Sequence, residues 1–250
     1  MKLLNANING LKSAVESGFF DLRHVADADV LCLQETSCED AASYGRALGY
    51  NVVAADRIKP EVGRAPVGGV AIFSRLPIAE TGLLGAEALA ARGQFVSGTI
   101  DGFNIASIYV TLDARPEQFT ALSDLFAKLS ADDLPALACG DMNTFRDQRD
   151  AWSFADAIKY RKVGCDRGAM AWFAAVFEAD WIDAIESDCS AQPLYTWWHS
   201  QALFDRGDGT RVDYILASKS AHARVVPKSS AVTTGNRRGG HAQISLAFSS

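Results

Sequence analysis

The sequence predicts an α+β fold, a sandwich of two packed sheets flanked by helices. Three observations carry that reading. Short apolar runs of six to eight residues recur along the chain, separated by turn residues. The string "TIDGFN" places Asp101-Gly102 between two such runs, a strong hairpin signal. Helical periodicity is confined to a few segments. A doubly wound parallel sheet would need a helix after almost every strand, and the hairpin over 94–110 speaks against it.

Taken in order, the strand candidates open with "KLLNANI" (2–8), "DVLCLQ" (29–34), "YNVVAA" (50–55) and "GGVAIFSR" (68–75). They continue with "QFVSGTI" (94–100), "FNIASIYV" (103–110), "PALACG" (135–140), "TRVDYILA" (210–217) and "AQISLAF" (242–248). A helix is expected over about 13–25 and another over 116–129. In the second, Phe119, Leu122, Leu125, Phe126 and Leu129 recur at helical spacing after Pro116 in the first turn. A third is expected over 167–178. With no linker, repeat or low-complexity tract, residues 1–250 read as one domain.

Composition narrows the class. Hydrophobic residues make up 48% and charged residues 22%, enough for a sizeable core. No apolar run approaches the roughly 20 residues of a membrane span, so no membrane partner is expected. Nor does the sequence imply an obligate protein partner. The odd set of Cys32, Cys38, Cys139, Cys165 and Cys189, without CxxC spacing, reads as reduced thiols of a cytoplasmic protein. Net charge is −6 but uneven. Residues 1–141 carry 11 basic and 18 acidic side chains, and residues 142–250 carry 13 and 12. Between 205 and 240, Arg206, Arg211, Lys219, Arg224, Lys228, Arg237 and Arg238 face only three acids. Such a patch can bind phosphate through counterion release, or can simply be a solvated face.

Several apolar runs end in a carboxylate or carboxamide: Gln34-Glu35, Asp141 with Asn143 two positions on, and Asn7 with Asn9. Singly these are common turn residues. Together they are hard oxygen donors at one sheet rim, which suits a Mg²⁺ site. Asp213 lies inside the apolar "RVDYILA", and a buried carboxylate there requires a donor, for which Arg211 and His241 are the candidates. His241 begins the last strand, and a carboxylate that orients an imidazole is suited to phosphate or proton work. Tyr109 could add a phenolic donor or be an amphipathic core residue.

The ordered series "NANING", "LCLQET", "GGVAIFSR", "YV" (109–110), "GDMN" (140–143), "YTWW" (195–198), "RVDYILAS" and the terminal "HA" resembles the endonuclease/exonuclease/phosphatase superfamily. Within it, the chain is similar to the exonuclease III type of AP endonuclease. The resemblance implies a four-layered α/β sandwich of two mixed sheets, the DNase I-like fold. It implies Mg²⁺, with Mn²⁺ able to substitute, and double-stranded DNA with abasic or 3′-blocked ends as partner. Carried over by residue, Glu35 is a metal ligand supported by Asn7, Asp141 activates water and Asn143 helps place it. Tyr109 touches the phosphate or the leaving oxygen, and Asp213 holds His241 against the phosphate. Asn9, Lys12, Arg115, Trp197, Arg211, Val212 and Arg237 become candidates for substrate contact.

The implied activity is cleavage 5′ to abasic sites, with 3′→5′ exonuclease or 3′-end trimming. The rival readings are a phosphodiesterase of another phosphate ester and a weakened DNA-binding member. Three departures stand out. Gly240 replaces the usual acid before the histidine, Leu112 replaces a carboxamide, and Thr210 replaces a bulkier pocket residue. The first leads to the expectation that Mg²⁺ is needed at higher concentration and that Gly240→Asp would lower that requirement.

Overall fold

A computed structural model describes residues 1–56, 68–80, 82–112, 114, 116–131, 134–152, 167–188 and 194–249. The strands are β1 (Lys2–Asn7), β2 (Val30–Gln34), β3 (Asn51–Ala55), β4 (Val70–Ser74), β5 (Ala79–Glu80) and β6 (Phe95–Ile100). They continue with β7 (Phe103–Tyr109), β8 (Ala136–Asp141), β9 (Ile182–Asp183), β10 (Asp213–Ala217), β11 (Ala231–Arg238) and β12 (His241–Ala247). All nine strand candidates are present. They form two six-stranded sheets, ordered β11-β12-β1-β2-β4-β3 and β5-β6-β7-β8-β10-β9. Each sheet is mixed: β1 and β2 run parallel in the first, β7 and β8 in the second, and the other pairings are antiparallel. The expected sandwich is what the chain adopts.

Three apolar layers hold it together. Leu3, Val30, Ile72, Ile105, Leu137, Ile215 and Ile244 meet between the sheets. The outer face of the second sheet packs Ile108, Ala138 and Leu216 against Leu122, Phe126, Trp172 and Phe173 of the helices Pro116–Ala131 and Arg167–Glu178. The outer face of the first sheet packs Leu4, Leu31 and Phe73 against Leu11, Phe19, Phe20 and Val25. The alternation of side chains along each strand supplies both faces. The order is therefore helix, sheet, sheet, helix.

Two element expectations change. The helix over 13–25 is three pieces, Leu11–Glu16, a 3₁₀ turn at Phe19–Asp21 and Arg23–Ala26. Gly18 at φ 69° breaks it, turning Phe19 and Phe20 into the core. The edge strand β11 has no counterpart among the candidates, because "AVTTGNRR" is half-exposed and polar and shows no apolar alternation. Among the described residues, no helix is long and apolar enough to cross a membrane.

Candidate active site

Strand direction gathers the polar residues. The parallel pairs deliver C-terminal ends to one edge of the sandwich: Asn7 from β1, Glu35 just past β2, Tyr109 from β7 and Asp141 from β8. The antiparallel strands β10 and β12 deliver N-terminal ends to the same edge, Asp213 and His241. Asp213 sits opposite Asp141 in register.

The contacts at that edge cross from sheet to sheet. Asn7 Nδ2 donates to Asp141 Oδ2 at 2.9 Å and to Glu35 Oε1 at 3.0 Å. Tyr109 donates its hydroxyl to Glu35 Oε1 at 2.8 Å. His241 Nδ1 lies 3.0 Å from Asp213 Oδ2, and its Nε2 lies 3.8 Å from Asp141 Oδ2. Asn143 donates its backbone N–H to Asp141 Oδ1 at 2.9 Å and its amide to the Val110 carbonyl at 2.8 Å. Glu35, Asn143 and Asn9 have φ of 50°, 47° and 43°, a left-handed conformation that side chains adopt at some cost. Such strain clusters at functional sites.

Burial and charge set the protonation states. Burial pushes Asp141 up, and the Asp213 charge adds to it, so that its carboxyl titrates at about 7. Burial works against a charged ring on His241, but Asp213, Asp141 and Glu35 outweigh it and hold the imidazole protonated up to about 9. Burial, then the charges of Asp141 and Glu35, raise the Tyr109 phenol, which stays a donor. The edge thus holds a fixed cation and a neutral phenol donor, facing a carboxylate able to exchange a proton near neutrality.

The donor set fits a divalent cation. Among the described residues, one ligand atom each from Asp141, Asp213 and His241 lies within 4.8 Å of the others, and Asp213 Oδ1 is buried without a partner. A protonated imidazole is no ligand, which leaves Asp141 and Asp213 of that cluster, with Glu35 tied to Asp141 through the Asn7 amide. Glu35 is the half-buried one at the rim. Asn7 turns its amide nitrogen toward both carboxylates and accepts the Asn9 N–H at 3.1 Å, so it supports ligands.

Other candidates lie at varying distance from this centre. Trp197 is at the site, its ring 6.3 Å from that of His241 and its Nε1 donating to the Gly239 carbonyl at 3.3 Å. Asn9 packs against Gly239. Lys12 is exposed and faces Glu16 at 3.9 Å. Arg211 is not brought to the site: its side chain is 3% exposed, ion-paired with Asp183 and 3.9 Å from Asp150. The partner of Asp213 is therefore His241. Val212 is fully buried and lines no open pocket. Leu112 is 66% exposed. Arg115, Cys165 and Cys189 lie outside the described residues.

Gly240 corrects an expectation. Gly239 and Gly240, at φ 54° and 88°, form the two-residue turn between β11 and β12. A Cβ at 240 would stand 2.3 Å from the Trp198 carbonyl oxygen. The backbone itself excludes an acid there, so Gly240→Asp is a folding lesion, not a gain of ligand.

Two supporting roles went unread in the sequence, although Arg238 stands in its basic patch. Thr196 Oγ1 accepts the backbone N–H of both Val212 and Asp213 at 3.0 Å, fixing the start of β10. Arg238 donates to the Ile8 carbonyl at 3.1 Å, between Asn7 and Asn9. The string "YTWW" was a signal for the first; nothing local marks the second.

A sequence profile of the Endonuclease/Exonuclease/phosphatase family matches residues 4–236. An exodeoxyribonuclease from Bacillus subtilis (strain 168) is 24% identical over 237 residues, covering 90% of this chain and 91% of the relative. Two solved structures share the fold over the full length of both chains. One is an AP endonuclease from Archaeoglobus fulgidus, with a TM-score of 0.82 at 21% identity. The other is the 3′ phosphatase NExo from Neisseria bound to product DNA hairpin, with a TM-score of 0.78 at 21% identity. By that profile match over most of its length, with the fold and the converging side chains in agreement, this chain belongs to the endonuclease/exonuclease/phosphatase family.

Proposed function

We propose that this protein is a divalent-metal-dependent phosphodiesterase acting on double-stranded DNA. In this reading it cuts 5′ to abasic sites, leaves a 3′-hydroxyl, and also trims blocked 3′ ends. One observation carries the proposal: Glu35, Tyr109, Asp141, Asn143, Asp213 and His241 meet at one edge through hydrogen bonds that cross the sheets. The relatives' names support the substrate class, since they include an exodeoxyribonuclease and a phosphatase bound to DNA. Free thiols at Cys32, Cys38 and Cys139 agree with a reducing compartment, for which we propose the cytoplasm.

Each residue's part follows from its surroundings. When bound, Mg²⁺ or Mn²⁺ supplies Lewis-acid neutralisation of phosphate charge. Glu35 would hold it, with Asn7 and Tyr109 fixing the carboxylate. Asp141, titrating near 7, takes the proton of the attacking water, and Asn143 and Asn7 aim it. His241 donates from Nε2 to a phosphate oxygen while Asp213 fixes Nδ1. Tyr109 turns its one hydroxyl hydrogen from Glu35 to the phosphate or the leaving oxygen when substrate binds, and Asn7 then holds the carboxylate. Attack forms a new O–P bond as the water's proton passes to Asp141, and breaks the bond to the 3′-oxygen, which takes a proton from solvent and leaves.

A substrate panel tests this. A duplex with one abasic site, a duplex with a 3′-phosphate and bis-p-nitrophenyl phosphate are incubated with Mg²⁺, with and without EDTA. The expected result is incision of the abasic strand to a polymerase-extendable end, abolished by EDTA. Hydrolysis of the small diester alone would replace DNA by a small phosphate ester. Duplex binding without cleavage of any substrate would leave a binding module.

A further inference from the structure

The two arginines before the Gly239-Gly240 turn point to opposite sides of it. Neither forms an ion pair with a carboxylate among the described residues. Arg238 is consumed inward, by the Ile8 carbonyl and the hydroxyls of Ser13 and Ser17. Arg237 turns the other way. It donates to the Thr234 carbonyl at 3.0 Å and to Gln201 Oε1 at 2.7 Å, and its guanidinium lies 3.3 Å from the centroid of the Phe204 ring.

That guanidinium forms one wall of a cavity of about 230 Å³, completed by Trp198, His199, Ser200, Gln201 and the backbone of Gly239 and Gly240. Among the described residues, no carboxylate lines it. The Trp197 ring separates it from the candidate active site, 5.8 Å from the His199 ring on one side and 6.3 Å from the His241 ring on the other.

We propose that this cavity is a second phosphate subsite, which holds a phosphodiester of the DNA strand flanking the one that is cleaved, with Arg237 as its cation. The inference rests on the DNA reading above. Arg237 is suited to the role because stacking on Phe204 fixes its plane before any ligand arrives. Its neutral partners leave its charge intact, and the guanidinium fork keeps N–H groups beyond the two engaged. His199 and Ser200 add donors at the rim. Trp198, the aromatic residue in the lining, is buried and has the Arg237 guanidinium 5.8 Å over its ring, so the cavity suits an anion better than a base.

Binding without cleavage tests it. A labelled duplex is titrated in EDTA at several salt concentrations against wild type, Arg237→Gln, Arg237→Lys and His199→Glu, with thermal melts of each. Arg237→Gln should weaken low-salt binding about tenfold and make the log-affinity against log-salt slope shallower by about 0.9, one phosphate's worth of counterions. Arg237→Lys should keep the slope. His199 is exposed, so His199→Glu should fold normally yet weaken binding by repelling the phosphate. Arg237→Gln binding with an unchanged slope, or His199→Glu binding as wild type, would overturn the subsite while leaving the DNA reading standing. A wild type that binds no duplex would overturn both.

Discussion

Replacing Asp213 by Asn keeps the size of the side chain and an acceptor for His241 Nδ1, and removes only the charge. In the wild type that charge does the most to offset burial, and the ring stays protonated to about 9. Without it, burial drives the imidazole back toward the ordinary histidine value of about 6.5. At pH 8 the protonated fraction then falls from roughly nine-tenths to a tenth or less, a loss of about 10–30-fold in rate from protonation alone. The same substitution takes away a charge that raises Asp141, so the acid limb moves down as well. Both limbs of the pH–rate profile for phosphodiester cleavage should therefore shift toward acid, and the gap to wild type should narrow as pH falls. Combining Asp213→Ala with His241→Ala should cost little more than either alone, since the two act as one unit. A profile that keeps its position and loses only height would refute the reasoning and leave Asp213 a packing residue.

Further expectations concern stability and binding. Asp141 titrates at about 7 in the folded protein, above its unfolded value, so its ionisation destabilises the fold. The metal-free protein should lose stability as pH rises from about 4 to 7, by on the order of a few kcal/mol. Asp141→Asn should abolish cleavage yet flatten that decline in urea titrations. The protonated His241 stabilises the fold fully below about 6.5, and that contribution is lost as pH rises through about 9. Gly240→Ala should cost roughly 2–4 kcal/mol by denaturant unfolding, because φ is 88° and the Trp198 carbonyl blocks the Cβ. Arg211→Met should cost about 3–5 kcal/mol by stranding buried Asp183 and Asp150, while leaving the salt slope of DNA binding unchanged.

Short apolar runs bounded by turn residues made the sheets readable in advance, since the central strands are buried on both faces. Glu35, Asp141 and Asn143 were readable because apolar strands that end in acids or amides need partners. Asp213 and His241 were readable because a carboxylate inside an apolar strand needs a donor. Tyr109 stood open between phenolic donor and core residue, and only the family resemblance assigned it. What escaped had no local signature. β11 is a half-exposed edge whose polar sequence resembles a loop. Arg211 reads as surface charge beside Arg206, and only the return of β9 and the Asp147–Asp150 turn reveals the carboxylates that bury it. Val212 precedes Asp213 by one position and so faces away from the site. Gly240 reads as a missing acid, and its turn conformation shows a backbone with no place for one.

In the proposed function, one metal-assisted centre built across both sheets breaks a phosphodiester bond in DNA. Single-turnover cleavage of a duplex carrying one abasic site measures it most directly, for wild type and Glu35→Ala, with Mg²⁺ and with EDTA. Rapid incision is expected only from wild type with Mg²⁺. Glu35→Ala should lose roughly 10²–10³-fold or more in rate while its thermal melt stays close to wild type. Incision in EDTA at the wild-type rate, or full activity in Glu35→Ala, would contradict it.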